Sequence, residues 1–336
     1  MKTVISTDRA AAVELLRQGE TVALPTETVY GLAADALNPI AVTKIFEAKQ
    51  RPRFDPLIVH LPNREWVEKI ADLPEHGRQL ISKLADTFWP GPFTIVLPKR
   101  GTVPEIVTAG LDTVAMRISA HPVFSEIVYV FGKPLAAPSA NRFGRVSPTT
   151  AQHVLEELDK RIPLIIDGGP TQHGLESTIA TVRANSIDIL RQGPITARQL
   201  SEFADVNIVA SSSRKIAAPG QLPSHYAPKT ALYLIDSADS FFPEKNQRVG
   251  LLAWHPISRK GDLQIVQRGI GDRRSLKFAA VRALSVRQDL REAAANLFRY
   301  LRELDMLGLD VIVAERVPSQ GLGAAILDRL ERASHR

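Results

Sequence analysis

The feature that most constrains this chain is an alternation of apolar and amphipathic runs that persists for two hundred residues, stops, and starts again. Strand-like TVAL (21–24), PLIVHL (56–61), FTIVLP (93–98), VAMRI (114–118), PLIIDGG (163–169) and STIATV (177–182) are separated by stretches with helical spacing over 8–19, 39–50, 75–87 and 149–158. Strands that alternate with helices specify an α/β layer structure. Between 207 and 230 the pattern fails, because VASSSRKIAAPGQLPSHYAPKT is rich in Ser, Pro, Ala and Gly and sustains neither period. Beyond it ALYLI, RVGLLAW, DLQIVQ and LDVIVAERV are strand-like and 284–307 is helical, which describes a second, smaller α/β unit. The expected division is therefore 1–206, a connector over 207–230, and 231–336, and 336 residues suffice for two cores.

Composition narrows the function classes. No window holds the roughly 18 apolar residues that a membrane-spanning helix needs, and the N-terminal MKTVISTDRAAAVELLRQGE carries charges where a secretory leader requires an apolar run. The expectation is a soluble, cytoplasmic protein with no membrane partner. Cysteine is absent, which excludes disulfides, thiolate metal sites and a cysteine nucleophile. The net charge of +6 is unevenly spread: residues 1–205 carry 22 Lys+Arg against 23 Asp+Glu, and residues 206–336 carry 20 against 13. A basic second half fits either a solvated surface kept for solubility or a weak contact with RNA.

Three segments have the residue types of a ligand site. TVAL runs into PTETVYGLAADA, a turn dense in hydroxyls at the end of a buried strand, where α/β proteins place ligands; Thr26, Glu27, Thr28 and Tyr30 serve equally well as caps for a following helix. In KIFEAKQRPRFDPLIVH, Lys49, Arg51 and Arg53 gather at a helix end. Cations there either complement the helix dipole or form a clamp for phosphate oxygens. PLAAPSANRFGRVSPTT carries Ser139, Asn141, Arg142, Arg145 and Ser147 in an ordered loop, whose short polar side chains suit either turn formation or a purine edge and ribose. DGGPTQHGLESTIATV then leads to Ser177 and Thr178, and ILRQG brings Arg191. Neither the P-loop nor the dinucleotide fingerprint is present, so a nucleotide would be held in some other way.

In this order, PTETVYGL, KxR with DPLIVH, SAN with SP, and GLESTI with LRQG resemble the YrdC-domain family of L-threonylcarbamoyladenylate synthases. SHYAP through GLGAAILDRLERA is similar to the second domain of that family's long members. The resemblance implies a YrdC-like twisted open mixed β-sheet with helices, followed by a small Rossmann-like α/β domain. It places L-threonine at Thr28, His60, Arg117, the main chain of Ala137, and Ser177. It places ATP at Lys49, Arg51, Asp55, Thr113, Ser139, Asn141, Ser147, Arg191 and Tyr226. At the position after Phe54 the family motif commonly has Asn, whereas this chain has Asp55, an acceptor-only carboxylate.

The implied reaction joins L-threonine, bicarbonate and ATP into L-threonylcarbamoyladenylate with release of pyrophosphate, for tRNA modification by threonylcarbamoyl transferase proteins. Lys49 and Arg51 would neutralise the phosphates. Mg²⁺ would arrive with ATP, since no His or carboxylate cluster has the spacing of a resident metal site. Within the linker, two prolines flank SHYA and fix the direction of Tyr226, which makes 207–230 readable as a lid over ATP or as a stiff spacer whose tyrosine packs on the second domain. A non-catalytic RNA-binding protein is the alternative from another class. A carbamoyl-phosphate enzyme of hydrogenase maturation is a weaker rival, since the acylphosphatase-like and zinc-ribbon segments are missing.

Overall fold

The structure is a computed structural model that describes residues 2–52, 54–209, 225–244, 246–256 and 278–335. Two sheets organise it. The first has eleven strands among the described residues: β1 (Val4–Ser6), β2 (Val22–Leu24), β3 (Gly31–Asp35), β4 (Ile58–His60), β5 (Phe93–Pro98), β6 (Thr113–Arg117), β7 (Leu135–Ala136), β8 (Leu164–Ile166), β9 (Thr178–Arg183), β10 (Ser186–Arg191) and β11 (Asp205–Ile208). Their order is β1-β8-β2-β3-β7-β4-β6-β5-β9-β10-β11. The sheet is mixed: β4 and β6 run parallel, as do β5 and β9, while β3–β7, β7–β4 and β5–β6 are antiparallel.

Because strand side chains alternate between faces, the partition of the core shows what covers each face. Leu32, Ala34, Val59, Val114, Met116, Ile95 and Ala180 belong to one large core with the helices Pro39–Lys49 and Arg78–Phe88. The intervening Val22, Leu24, Ala33, Leu135, Leu164 and Ile166 form a core on the opposite face, under the helices Arg9–Arg17 and Pro122–Phe131. Register carries this second face on to His60, which pairs with Leu135 of β7 and Arg117 of β6. Over β4, β6, β5 and β9, among the described residues, it bears a short apolar strip, Ile58, Val96, Ala115 and Ile179, with Thr94, His60 and Arg117 on the same face. The ligand-bearing residues of the sequence reading gather where the helix cover ends.

Among the described residues the second sheet has four strands, β12 (Ala231–Ile235), β13 (Val249–Ala253), β14 (Ala280–Ala283) and β15 (Val311–Glu315), all parallel in the order β12-β15-β13-β14. The helices Leu290–Asp305 and Leu322–Ser334 cover one face. Their core takes in Val29, Val146 and Leu175 from the first unit, so the two units share buried apolar surface. The expected mixed sheet and small parallel unit are thus both present.

Differences from the sequence reading are local. The hydroxyl-rich turn does not cap a helix; it leads into β3, which returns antiparallel to β2. The helix expected from 75 starts at Arg78, after Gly77 with φ +98°. Helices Pro122–Phe131 and Leu322–Ser334 were not anticipated. Arg53, strand-like DLQIVQ (262–267) and connector residues 210–224 lie outside the described residues.

Gly174 packs closely against the helix Leu290–Asp305 of the second unit. Its φ is +68°, and a Cβ there would lie 2.5 Å from Ala294 O and 2.6 Å from Ala295 Cα. Gly174→Ala is expected to cost about 2–4 kcal/mol, from left-handed strain plus overpacking against backbone. Gly144→Ala, at φ +76° with open space, should show only the smaller strain cost of about 1–2 kcal/mol. Thermal melts check both; equal melting temperatures for the two variants would mean that the Gly174 contact carries no docking strain.

Candidate active site

One end of the cavity is built around the turn between β2 and β3. Thr26 Oγ1 donates to Val29 O at 2.6 Å and accepts from the backbone N–H groups of Thr28 and Val29, which fixes the loop. This turn buries Glu27 and presents Thr28. Arg117, at the end of β6 and 2% exposed, donates from Nη2 to Glu27 Oε1 at 2.8 Å and from Nη1 to Thr28 Oγ1 at 3.2 Å. Ser119 donates to the other Glu27 oxygen. Among the described residues the buried Nε of Arg117 has no hydrogen-bond partner, and neither has Nδ1 of neighbouring His60. Burial, reinforced by the Arg117 cation, pushes the His60 pKa well below the usual histidine range, so the ring is neutral. It packs against Phe124 at 4.8 Å between centroids.

Ser177 stands just before β9, with its Oγ 2.7 Å from Thr94 Oγ1. Arg191, at the end of β10, donates to Ser177 O and Oγ. Burial lowers its pKa to about 10. The N–H of Ala137 is spent on Ile58 O at 3.0 Å, so the main-chain group Ala137 can offer is its carbonyl.

The other end is cationic. Lys49 closes the helix Pro39–Lys49, is 1% exposed, and donates to the carbonyls of Ser139 and Asn141. Its pKa is held well below the usual lysine range, first by burial and then by the Arg51 cation. Arg51 donates to Pro56 O at 2.8 Å and Asp55 O at 3.3 Å. Asp55 Oδ2 is 2.8 Å from Arg51 Nη2, yet among the described residues neither carboxylate oxygen accepts a directed hydrogen bond, so this contact is charge pairing. Burial raises the Asp55 pKa against the opposing pull of Arg51, Lys49 and Arg191. Asn141 donates to Arg142 O and Arg145 O, and its buried Oδ1 has no partner among the described residues.

Nine of the fourteen residues named from the sequence line one cavity: Thr28, Arg51, His60, Arg117, Ala137, Ser139, Ser177, Arg191 and Tyr226. Lys49, Asp55, Asn141 and Ser147 stand one side chain behind its wall, and Ser147 Oγ donates to Glu176 Oε1 at 2.6 Å. Thr113 is set apart. It shares the Arg117 face of β6, but four residues away, about 13 Å along the strand at the usual rise. The apolar strip of Ile58, Val96 and Ala115 lies beside that interval.

The sequence reading did not assign Glu176 and His225, which also line the cavity, or Glu27, which holds Arg117. Each sits beside a residue that was singled out, Glu176 beside Ser177, His225 beside Tyr226 and Glu27 beside Thr28, but the pairing of Glu27 with Arg117 spans 90 residues and leaves no local signal.

Free space in the cavity is about 50 Å³, room for a few water molecules, against the several hundred Å³ that a nucleotide occupies. His225 and Tyr226 supply part of the wall. Tyr226 adopts φ +64°, stacks on Phe298 at 5.4 Å and lies beneath the Arg329 guanidinium at 5.3 Å, and Ala227 N donates to Gly144 O. The tyrosine therefore packs on the second unit and faces the cavity at once.

Comparison with known proteins places this geometry. A family profile shared by Sua5, YciO and YrdC proteins, described as "Telomere recombination", matches residues 14–193, and one described as "Threonylcarbamoyl-AMP synthase, C-terminal domain" matches 195–335. The chain is 38% identical to the threonylcarbamoyl-AMP synthase of Pyrococcus abyssi, covering 96% of this chain and 93% of the relative. It is also 38% identical to that of Bacillus subtilis, covering 97% and 92%. The crystal structure of P. abyssi Sua5 complexed with L-threonine superposes with a TM-score of 0.83 at 35% identity, over 99% of this chain and 97% of that one. Similarity to synthases over nearly the full length removes the non-catalytic RNA-binding reading, and the chain belongs to the two-domain threonylcarbamoyl-AMP synthase family.

Proposed function

We propose that this cavity binds L-threonine at its Arg117 end and ATP toward Lys49 and the 137–147 loop, and that the protein is an L-threonylcarbamoyladenylate synthase. The observation that carries the reading is that two different groups of buried polar residues meet in one cavity. Thr28, His60, Arg117 and Ser177 suit a small hydroxy amino acid; Arg51 and Arg191, with Lys49 behind them, suit phosphates. An arginine whose Nε has no hydrogen-bond partner among the described residues offers a donor to a substrate carboxylate. Hydroxyls at Thr28 and Ser177 line the cavity and offer the threonine hydroxyl polar partners that valine could not use.

In the proposed reaction the threonine amine attacks the bicarbonate carbon and water is lost, giving a carbamate. A carbamate oxygen then attacks the α-phosphorus, and the bond to the β-phosphate oxygen breaks to release pyrophosphate. No protein side chain forms a covalent bond; the chain's part is to position the reactants and neutralise phosphate charge. Thr113 and the apolar strip beside it suit the adenine end, and Asn141, behind the wall, holds the adjoining loop through Arg142 O and Arg145 O. Among the described residues no group of three His, Cys, Asp or Glu could hold a metal, and the two cavity-side carboxylates, Asp55 and Glu176, are engaged by arginines. This set fits Mg²⁺ that arrives on the triphosphate, where it would supply charge neutralisation, rather than a resident ion.

Threonine- and bicarbonate-dependent ATP–pyrophosphate exchange tests the reading; exchange that persists without threonine would assign the chain another substrate. The product is then a substrate for threonylcarbamoyl transferase proteins acting on tRNA. Among the described residues no helix is long and apolar enough to cross a membrane, and tRNA modification in the cytoplasm is the setting this reading implies.

The division into 1–206, 207–230 and 231–336 is part of the proposal, with the connector acting as a lid through Tyr226. Tyr226→Ala is expected to weaken ATP binding by about 1–2 kcal/mol, roughly five- to thirty-fold, with threonine binding less affected. Calorimetric titration reads both, and an unchanged ATP affinity would leave Tyr226 as packing for the second unit.

A further inference from the structure

A cation from the second unit reaches the nucleotide side of the cavity. Arg329, on the helix Leu322–Ser334, is 1% exposed. Its Nε donates to Glu176 Oε2 at 3.0 Å, and its Nη2 to Gln192 O at 2.8 Å, between Arg191 and the close-packed Gly193. Glu176 uses its second oxygen to accept from Ser147 Oγ. The same guanidinium lies over the Tyr226 ring. One buried side chain thus touches the carboxylate that orients Ser147, the strand end that carries Arg191, and the ring of Tyr226.

The energetics make this more than a clip between units. A buried arginine that lost its carboxylate would be strongly destabilised, and Glu176 would be left as an uncompensated charge at the cavity wall. The Arg329 and Arg191 cations and the Ser147 hydroxyl outweigh burial and hold Glu176 below the usual carboxylate range. Asp328, on the same helix, supplies Arg329 with a second counter-ion. A second arginine from this unit, Arg302, donates to the carbonyls of Val146 and Ser147, so the backbone on which Ser147 sits is gripped from the same side.

We propose that Arg329 is a positioning residue for ATP, acting through Glu176 on Ser147 and directly on Tyr226, so that the second unit completes the nucleotide half of the cavity. The inference rests on reading that half as the ATP site. It gives the second unit a part in substrate binding that its sequence alone did not suggest.

The test is calorimetric titration of the full-length protein with ATP alone and with L-threonine alone, for wild type, Arg329→Met, Glu176→Gln and the double variant. Arg329→Met is expected to weaken ATP roughly ten- to hundred-fold, the range for a lost charged hydrogen bond, with threonine within about threefold. Glu176→Gln breaks the same link from the other end without removing bulk and should show the same selectivity for ATP. The double variant should be clearly less impaired than the two single losses added together. Folded variants with lowered melting temperature but wild-type ATP affinity would make Arg329 a structural staple and overturn the inference, as would additive losses in the double variant. Adenylate synthesis by the wild type is measured alongside. A wild type that binds ATP yet makes no adenylate refutes the proposed reaction, while the titrations still decide the role of Arg329.

Discussion

Replacing Lys49 or Arg51 by Ala is expected to lower adenylate formation by roughly 30- to 1,000-fold, about 2–4 kcal/mol of transition-state stabilisation, through loss of a charge-assisted contact in a desolvated site. Both cations are buried, at 1% and 8% exposure. In the ligand-free protein they are held by carbonyl groups: those of Ser139 and Asn141 for Lys49, and those of Asp55 and Pro56 for Arg51. Carbonyl partners keep the Lys49 cation in place without cancelling its charge, which leaves it available to phosphate, whereas Arg51 is also charge-paired with the buried Asp55 carboxylate, which a phosphate would share or displace. The two differ in their pH behaviour. Burial disfavours the ammonium form of Lys49, so its neutral form appears at lower pH than for a free lysine. Phosphate binding needs the cation. The alkaline limb of kcat/KM for ATP, which reports the free enzyme, is therefore expected below the ordinary lysine range. Lys49→Arg should move that limb upward even if the changed shape lowers the maximum. Wild-type turnover in both alanine variants would remove the phosphate role, and an unmoved alkaline limb in Lys49→Arg would assign that limb to another group.

What was legible in the sequence, and what was not, follows from how local each signal is. Period-two runs such as FTIVLP and STIATV become β5 and β9 because one face is buried in the large core. Helix 39–49 is announced by Asn38 as cap and Pro39 in the first turn. The helix Pro122–Phe131 was missed although Val123, Phe124, Ile127, Val128 and Phe131 are buried at helical spacing, because its exposed side also carries apolar Tyr129 and Val130. Two-residue β7 has no pattern to read, yet it joins β3 to β4 and brings Leu135 beside His60. Within the site, hydroxyls and cations in tight motifs were visible as candidates. Their buried counter-charges were not, because pairs such as Arg117–Glu27 and Arg329–Glu176 are separated by 90 and 153 residues and exist only through topology.

Arg117→Met separates substrate binding from fold stability at one position. The arginine is bound to Glu27 and Thr28 and is the cation proposed for the threonine carboxylate. Its loss is expected to raise the KM for threonine by about two orders of magnitude, since a buried charge-assisted pair contributes roughly 2–4 kcal/mol, while ATP affinity stays near wild type. Stability should also fall, by about 3–5 kcal/mol, because among the described residues Glu27, at 4% exposure, keeps only the Ser119 hydroxyl as a side-chain donor. The second effect has its own remedy. Glu27→Gln in the Arg117→Met background removes the stranded charge, so most of the lost melting temperature should return. Threonine binding should not, because the carboxylate partner is still missing. Thermal melts with threonine titrations on the single and double variants read the two quantities independently. Recovery of threonine binding along with stability in the double variant would mean that Arg117 serves only to neutralise Glu27, and that the substrate carboxylate is held elsewhere in the cavity.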